Sequence, residues 1–412
     1  MTTRAFDVVI FGATGFTGEY IAVEWAKNYG SSSKWAIAGR SKNKLEATKA
    51  KILKDVPAVR NVELIVADAL DTPSLEAMCK LTKVVLNCTG PYRLYGEPVV
   101  RSCVATSTHY VDISGEPQFI ETMMLRYNDE AKKNGCIIVN ACGFDSIPSD
   151  MGTVFTAQQF PKEGCCSSIE AFLSLKGKKG HATTYECAVL GFAAADELKS
   201  LRKKDNAPIP YVGPKLKLQN MGYDNREKKY FVKFPGADAS IVRNSQRYAA
   251  QNLNSVPIRF AVYAAFESII SLLLVILGGY VLSKLGQYQW GRDLLIKYPN
   301  IFSFGFFTHE GPSREEMEQG GFSFRFYAKG YKNAKTGTPD WEVVTRVAGP
   351  EPGYIATSAM VVLATKMIVD NHVKERGVLT TASAFATTPL IEEMRKHGIE
   401  FTVEKAGQIS KL

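Results

Sequence analysis

Short apolar runs, each followed by a polar turn and a mixed polar–apolar stretch, repeat along the first 150 residues. Residues 8–11, 35–39, 62–67, 84–88, 108–113 and 136–142 are rich in β-branched and small apolar residues, which predicts strands. Residues 19–26, 42–54, 74–79, 98–106 and 119–134 between them read as helices. Strand and helix in strict alternation at short spacing predict an α/β fold, a doubly wound parallel sheet of the Rossmann type over residues 1–150.

The pattern then changes. Runs at 168–175, 183–188 and 230–234 read as strands, and residues 322–328 and 341–347 alternate with period two, as a hairpin with one exposed face does. These predict a central α+β domain over 151–348. Residues 349–412 hold a long apolar helix (355–369), a final helix (388–396) and a closing strand (399–403). Within the central part lies an apolar run, 260–283, whose single charge is Glu267. Its uncharged stretch 268–283 covers about 24 Å as a helix, short of the roughly 30 Å hydrocarbon core of a bilayer. Tyr263, Tyr280, Tyr288 and Trp290 flank it as interfacial aromatics do. A buried core helix and a dimer helix are the other readings of this run.

The first strand ends in Gly12-Ala13-Thr14-Gly15-Phe16-Thr17-Gly18. Glycines there tighten the turn and let backbone approach a pyrophosphate, which the N–H groups and dipole of the next helix then hold. The second strand ends in Arg40 and Ser41, where an NAD-specific site places an acid for the ribose 2′-hydroxyl. A guanidinium pairs with a 2′-phosphate instead, so NADP(H) is expected over NAD(H). Asp68 is a candidate for the adenine edge or a helix cap. Ligands of open α/β sheets bind past the carboxyl ends of the strands. Asn87, Thr89, Gly90, Pro91 and Tyr92 therefore fall where ribose and nicotinamide lie.

The polar groups at those strand ends include Tyr92, Asp112 and Asp145. Tyr92 is the first candidate for a proton donor or oxyanion partner, and Asp112 and Asp145 for orienting substrate or for capping a turn. Tyr–Lys pairs spaced as in short-chain reductases occur at Tyr211/Lys215, Tyr331/Lys335 and Tyr280/Lys284, in a Gly-Pro turn, a turn region and the end of the apolar run. None is placed for catalysis. The five histidines form no triad and no HExxH pair, so neither hydrolysis nor a metal site is expected.

Composition adds little until charge is mapped. The chain is 45% apolar and 22% charged, and 50 basic against 41 acidic residues give a net charge of +9. That is modest for this length, and no nucleic-acid motif accompanies it. Residues 199–233 hold ten Lys or Arg against three acids, either a solvated loop or a basic face toward anionic lipid. The eight cysteines have no zinc spacing and read as reduced thiols of an intracellular protein, and no secretory signal is expected.

Several motifs occur in order: the glycine turn, Ala38-Gly39-Arg40-Ser41, Asn87-Cys88-Thr89-Gly90-Pro91-Tyr92, Tyr110-Val111-Asp112-Ile113-Ser114-Gly115-Glu116, Gly143-Phe144-Asp145-Ser146-Ile147-Pro148-Ser149-Asp150, Gly349-Pro350-Glu351-Pro352-Gly353-Tyr354 and His397-Gly398-Ile399-Glu400-Phe401. Together, across nearly the whole chain, they resemble the saccharopine dehydrogenase-like oxidoreductases of animals, and the mycobacterial trans-acting enoyl reductases are similar. The resemblance implies a C-terminal segment that returns to the Rossmann domain, and a location on lipid droplets or mitochondria. Both chain ends then lie in one compartment, so the apolar run is expected to be monotopic rather than a single-pass span. The expected activity is hydride transfer between NADP(H) and a lipid-like small molecule, with an unsaturated acyl group as one candidate. The alternative is a dinucleotide-binding scaffold or sensor at a lipid surface. A homodimer stays open.

Overall fold

A computed structural model describes residues 4–177, 179–204, 208–333 and 337–409. Lys335 and part of the basic window lie outside them.

Strands β1 (Phe6–Phe11), β2 (Trp35–Gly39), β3 (Glu63–Val66), β4 (Thr82–Asn87), β5 (His109–Asp112) and β6 (Ile137–Val139) are linked by helices and pair only in parallel. The sheet runs in the order β3-β2-β1-β4-β5-β6, the dinucleotide-binding order with its reversal between β1 and β4. Near-continuous apolar strands follow from burial on both faces: Val8, Val9, Ile10, Val84, Val85 and Leu86 are all fully buried.

Beyond these come β7 (Cys165–Lys176), β8 (Gly180–His181), β9 (Met221–Asp224), β10 (Lys229–Lys233), β11 (Arg259–Phe266), β12 (Phe307–Thr308), β13 (Gly321–Tyr331), β14 (Trp341–Pro350), β15 (Gly377–Leu379) and β16 (Glu400–Gln408). A second sheet has the order β16-β14-β13-β7-β11-β10-β9, antiparallel except between β7 and β11. Its inward side chains Phe322, Phe324, Phe326, Val343 and Val347 share one core with Val8, Ile10 and the buried helix Thr357–Val369. The C-terminal part serves both sheets, since β15 pairs with β6 and β16 with β14.

Four sequence expectations need correction. The apolar run 260–283 is not one element. Its first part is the interior strand β11, and only the helix Ile269–Leu285 is the exposed apolar piece. Residues 183–188 form no strand but the helix Ala182–Ala193, started by the His181 ring accepting from the Thr183 N–H at 3.1 Å. The helix expected from residue 98 begins at Tyr92 and carries Pro98 inside it. The basic window is not one free basic face. Lys199 pairs with Asp196, Arg202 with Glu121, and Arg226 with Asp224 and Glu170.

Candidate active site and its dinucleotide cradle

The cradle starts where β1 ends. Gly12 sits at φ +83°, in the left-handed region that a side chain disfavours. Its N–H donates to the Ala38 carbonyl at 2.9 Å, and Gly15 N–H donates to the Gly12 carbonyl at 3.1 Å. The helix Phe16–Tyr29 begins after Gly15, which has no side chain to cap it, so its first-turn amides are left for an anion. A Cβ on Gly18 would fall into the Gly12 carbonyl oxygen, and one on Gly12 would sit 2.6 Å from Thr89 Oγ1. Thr89 Oγ1 is itself buried with no hydrogen-bond partner among the described residues. Free amides, a turn closed to side chains and an orphaned hydroxyl beside it fit a dinucleotide.

Other cofactor candidates divide into free and committed groups. Arg40 is exposed at the end of β2. Ser41 caps the helix Lys42–Asp55, its oxygen accepting from Lys44 N–H at 3.4 Å. Asp68 is half-buried and accepts from the Leu70 N–H at 3.0 Å, an Asx turn that leaves one carboxylate oxygen. Ala13 is fully buried, while Thr14, Phe16 and Thr17 are half-buried along the turn. Gly90 and the buried Pro91 join through a cis peptide bond beside Thr89.

Past the ends of β4, β5 and β6 lies a buried polar network. Asn87 is fully buried. Its Nδ2 donates to the Tyr110 hydroxyl at 3.1 Å, and its Oδ1 accepts from the Thr89 N–H at 2.9 Å. Asp112 accepts from the Tyr110 hydroxyl (2.8 Å) and Asn140 Nδ2 (2.7 Å) on one oxygen. The other takes the Ser114 hydroxyl (2.8 Å) and N–H (3.0 Å) and the Ala141 N–H (2.7 Å). Burial raises its pKa and these donors oppose the rise. Ala141 is held at φ +59°, so the carboxylate fixes a strained turn. Tyr92 is buried, its hydroxyl donating to the Asn87 carbonyl at 2.9 Å. Its N–H and that of Arg93 donate to Glu116, at 2.8 and 3.1 Å, which caps the helix Tyr92–Ala105. Asn87, Tyr92 and Asp112 thus brace the floor of the site with every strong polar atom engaged.

Asp145 differs. It is half-buried on the loop after β6, with no hydrogen bond among the described residues, and burial pushes its pKa up to about 6. Its carboxylate fills the space where a Cβ on Gly115 would stand.

The roof was not legible in the sequence. The His181 ring stacks on Phe16 of the glycine turn (4.7 Å between centroids, 18°), and the Tyr354 ring meets Phe16 edge-on at 4.9 Å. The His181 N–H donates to the Tyr354 hydroxyl at 2.7 Å. From there the helix Ala182–Ala193 runs over the site, and the Cys187 thiol reaches Glu116. The next helix, Ala195–Lys204, is tied down where Glu197 accepts from Arg93 (2.6 Å) and Gln118 (2.8 Å) and where Arg202 grips Glu121. The only signal for this roof was the late Glu351–Tyr354 motif. The partner of Tyr354, His181, stands 173 residues earlier.

This fold and cradle define an NAD(P)-dependent oxidoreductase of the Rossmann class. Residues 8–139 match the model of the saccharopine dehydrogenase NADP binding domain. The human saccharopine dehydrogenase-like oxidoreductase is 39% identical, over 98% of this chain and 99% of that one. A Caenorhabditis elegans protein named as lipid droplet localized is 37% identical, over 97% of this chain and 98% of its own. Saccharopine dehydrogenase (L-Glu forming) of Saccharomyces cerevisiae shares the fold, with a TM-score of 0.56, 14% identity, and 98% of this chain and 100% of that one covered. The chain belongs to the saccharopine dehydrogenase-like oxidoreductase family.

Proposed function

We propose that the protein is an NADPH-dependent reductase of an acyl-chain substrate, working at the surface of a lipid droplet or an organelle membrane. The observation that carries this reading is the helix Ile269–Leu285. Leu272 is its one buried residue, while Ile270 is 67% and Leu273 57% exposed. An aqueous protein leaves no such patch uncovered without a use for it. The exposed apolar positions 269, 270, 273, 274, 275 and 277 spread around more than half of the helix at roughly 100° per residue. A protein partner covers one stripe, whereas a lipid phase covers the rest. Tyr280, Tyr288 and Trp290, all exposed, stand at its end where the interface lies. The described helix of 17 residues reaches about 26 Å, which favours monotopic insertion. The longer apolar helix, residues 352–369, is mostly buried in the core. The name of the nematode relative supports the lipid-droplet location, and an Arabidopsis thaliana relative, 35% identical over 96% of each chain and named a probable mitochondrial saccharopine dehydrogenase-like oxidoreductase, extends the choice to mitochondria.

Within the site, the first-turn amides after Gly15 hold the pyrophosphate and Arg40 the 2′-phosphate, with Ser41 beside it. Thr89 and Gly90 line the ribose and nicotinamide end. NADPH supplies, when bound, a hydride for the polarised carbon of an unsaturated acyl group. Asp145 donates the proton that the neighbouring carbon takes up, and the carbon–carbon π bond is replaced by two C–H bonds. Asp112, Asn87 and Tyr92 position the strand ends, and the roof helix excludes water. The unsaturated acyl group is the choice favoured by the resemblance to enoyl reductases.

The test is titration with NADPH and NADH, followed by a panel of enoyl and keto lipids. NADPH preference that reverses in Arg40→Asp, with oxidation by an enoyl lipid, is expected. NADH preference overturns the cofactor assignment. Binding without turnover across the panel returns the protein to the scaffold reading.

A further inference from the structure

The apolar helix and the dinucleotide cradle are joined by one element. The helix Ala182–Ala193 has two working faces. On the inner side, its capping residue His181 stacks on Phe16, and Cys187 reaches Glu116, the carboxylate that caps the helix beginning at Tyr92. On the outer side, Tyr185 and Val189 are buried against Leu295 and the half-buried Val281, Leu282, Leu285, Ile296, Phe302 and Phe307. Val281, Leu282 and Leu285 form the C-terminal part of the exposed apolar helix. Tyr185 and Phe307 meet ring to ring at 5.4 Å. A second tie runs through the backbone, because β8 pairs with β12 and places His181 directly opposite Thr308.

Resting on the lipid-surface reading above, we propose that the roof helix Ala182–Ala193 is a transmission element, so that lipid engagement by the helix Ile269–Leu285 and dinucleotide binding under His181 are coupled. The apolar helix cannot shift without moving Tyr185 and Val189, and these share a three-turn rod with Cys187. Lipid that seats the helix presses or lifts the roof over Phe16. By linkage, a cofactor that orders Phe16 changes the protein's affinity for lipid by the same factor.

The experiment uses the full chain and vesicles of phosphatidylcholine containing triacylglycerol. Flotation measures lipid binding with and without NADPH. Calorimetry gives the NADPH Kd with and without vesicles, and hydrogen exchange reports on residues 182–193. The expected result is a change of about fivefold or more in NADPH affinity on adding vesicles, the same factor in lipid affinity on adding NADPH, and altered exchange in 182–193. Tyr185→Ala is expected to bind NADPH normally without vesicles and to lose the shift with them. Unchanged NADPH affinity and unchanged exchange in a protein that floats overturn the coupling alone. A protein that never floats overturns the lipid reading and the coupling with it. If Tyr185→Ala does not fold, the exchange data on the unaltered protein still decide.

Discussion

Two aspartates near the site, Asp112 buried and Asp145 half-buried, make opposite commitments. Asp112 is fully donated to, and its work is to hold Ala141 and the strand ends. Asp145 has no donor among the described residues, and burial alone pushes it up to about 6. An acid that gives its proton to substrate must be protonated, so the turnover rate is expected to fall as pH rises above about 6, tenfold per unit at the limit. Asp145→Asn should lose on the order of 10²–10³ in kcat and flatten this profile while NADPH affinity holds. A pH-rate profile of both proteins checks it. Asp238 carries a stability signature instead. It is buried with one oxygen that has no partner among the described residues, and burial raises it to about 8. Between pH about 4 and 8 the folded chain keeps a proton that the unfolded chain releases, so this group's contribution is full at low pH and is lost as pH rises through 8. Asp145 acts the same way only up to about 6. From pH 6 to 8 the Tm of the native protein should therefore fall more steeply than that of Asp238→Asn, as scanning calorimetry would measure. The sequence ranked Tyr92 first as a donor and left Asp112 and Asp145 as orienting groups or turn caps, because each ends or follows a strand. Which way each side chain turns depends on Tyr110, Asn140 and Glu116, donors and acceptors that no spacing rule brings together.

At the scale of elements, the glycine turn was fully legible because its needs are local: φ at Gly12, space at Gly18, free amides after Gly15. The two later glycines nevertheless predict different failures. Gly18 meets the Gly12 carbonyl, so Gly18→Ala pushes the helix off β1 and should lower Tm as well as cofactor affinity. Gly15 is exposed at φ −82°, with its nearest neighbour an ordinary 3.4 Å away. Gly15→Ala should leave Tm within about 1–2 °C of the native value and still weaken NADPH binding tenfold or more, because its methyl group enters only the space of the pyrophosphate. Thermal melts paired with calorimetric titration separate the two. The roof helix was not legible. Thr183, Thr184 and Tyr185 carry strand preference, and the helix wins only because His181 caps it and Tyr185 and Val189 find apolar partners about a hundred residues on. Likewise residues 260–266 look continuous with 268–283, and only pairing with β7 and β10 separates them.

For the whole molecule, two forces could bring it to a lipid surface, and the charge of the lipid separates them. Six apolar side chains on the helix Ile269–Leu285 are each 42–67% exposed. Covering the remaining half of a Leu or Ile is worth about 1 kcal/mol, so the helix offers roughly 6 kcal/mol. The basic window would offer about 1 kcal/mol per free Lys or Arg, and only at anionic lipid. Three of its ten Lys and Arg, Lys199, Arg202 and Arg226, already have acidic partners, and an uncharged lipid surface offers the others no attraction. Insertion should therefore be apolar in origin and insensitive to salt. Droplets coated with uncharged phosphatidylcholine are expected to carry the protein equally at about 0.1 and 0.5 M salt, a range over which the Debye length roughly halves. Changing Leu273 and Leu277 together to Glu should leave the protein in the aqueous layer with its lipid-free NADPH affinity intact, because neither side chain packs on the roof helix or the cradle. Release of the native protein by salt would return the role to the basic window. A native protein that avoids droplets and sediments as two chains, with the Glu variant sedimenting as one, would assign the apolar helix to a second copy of the chain.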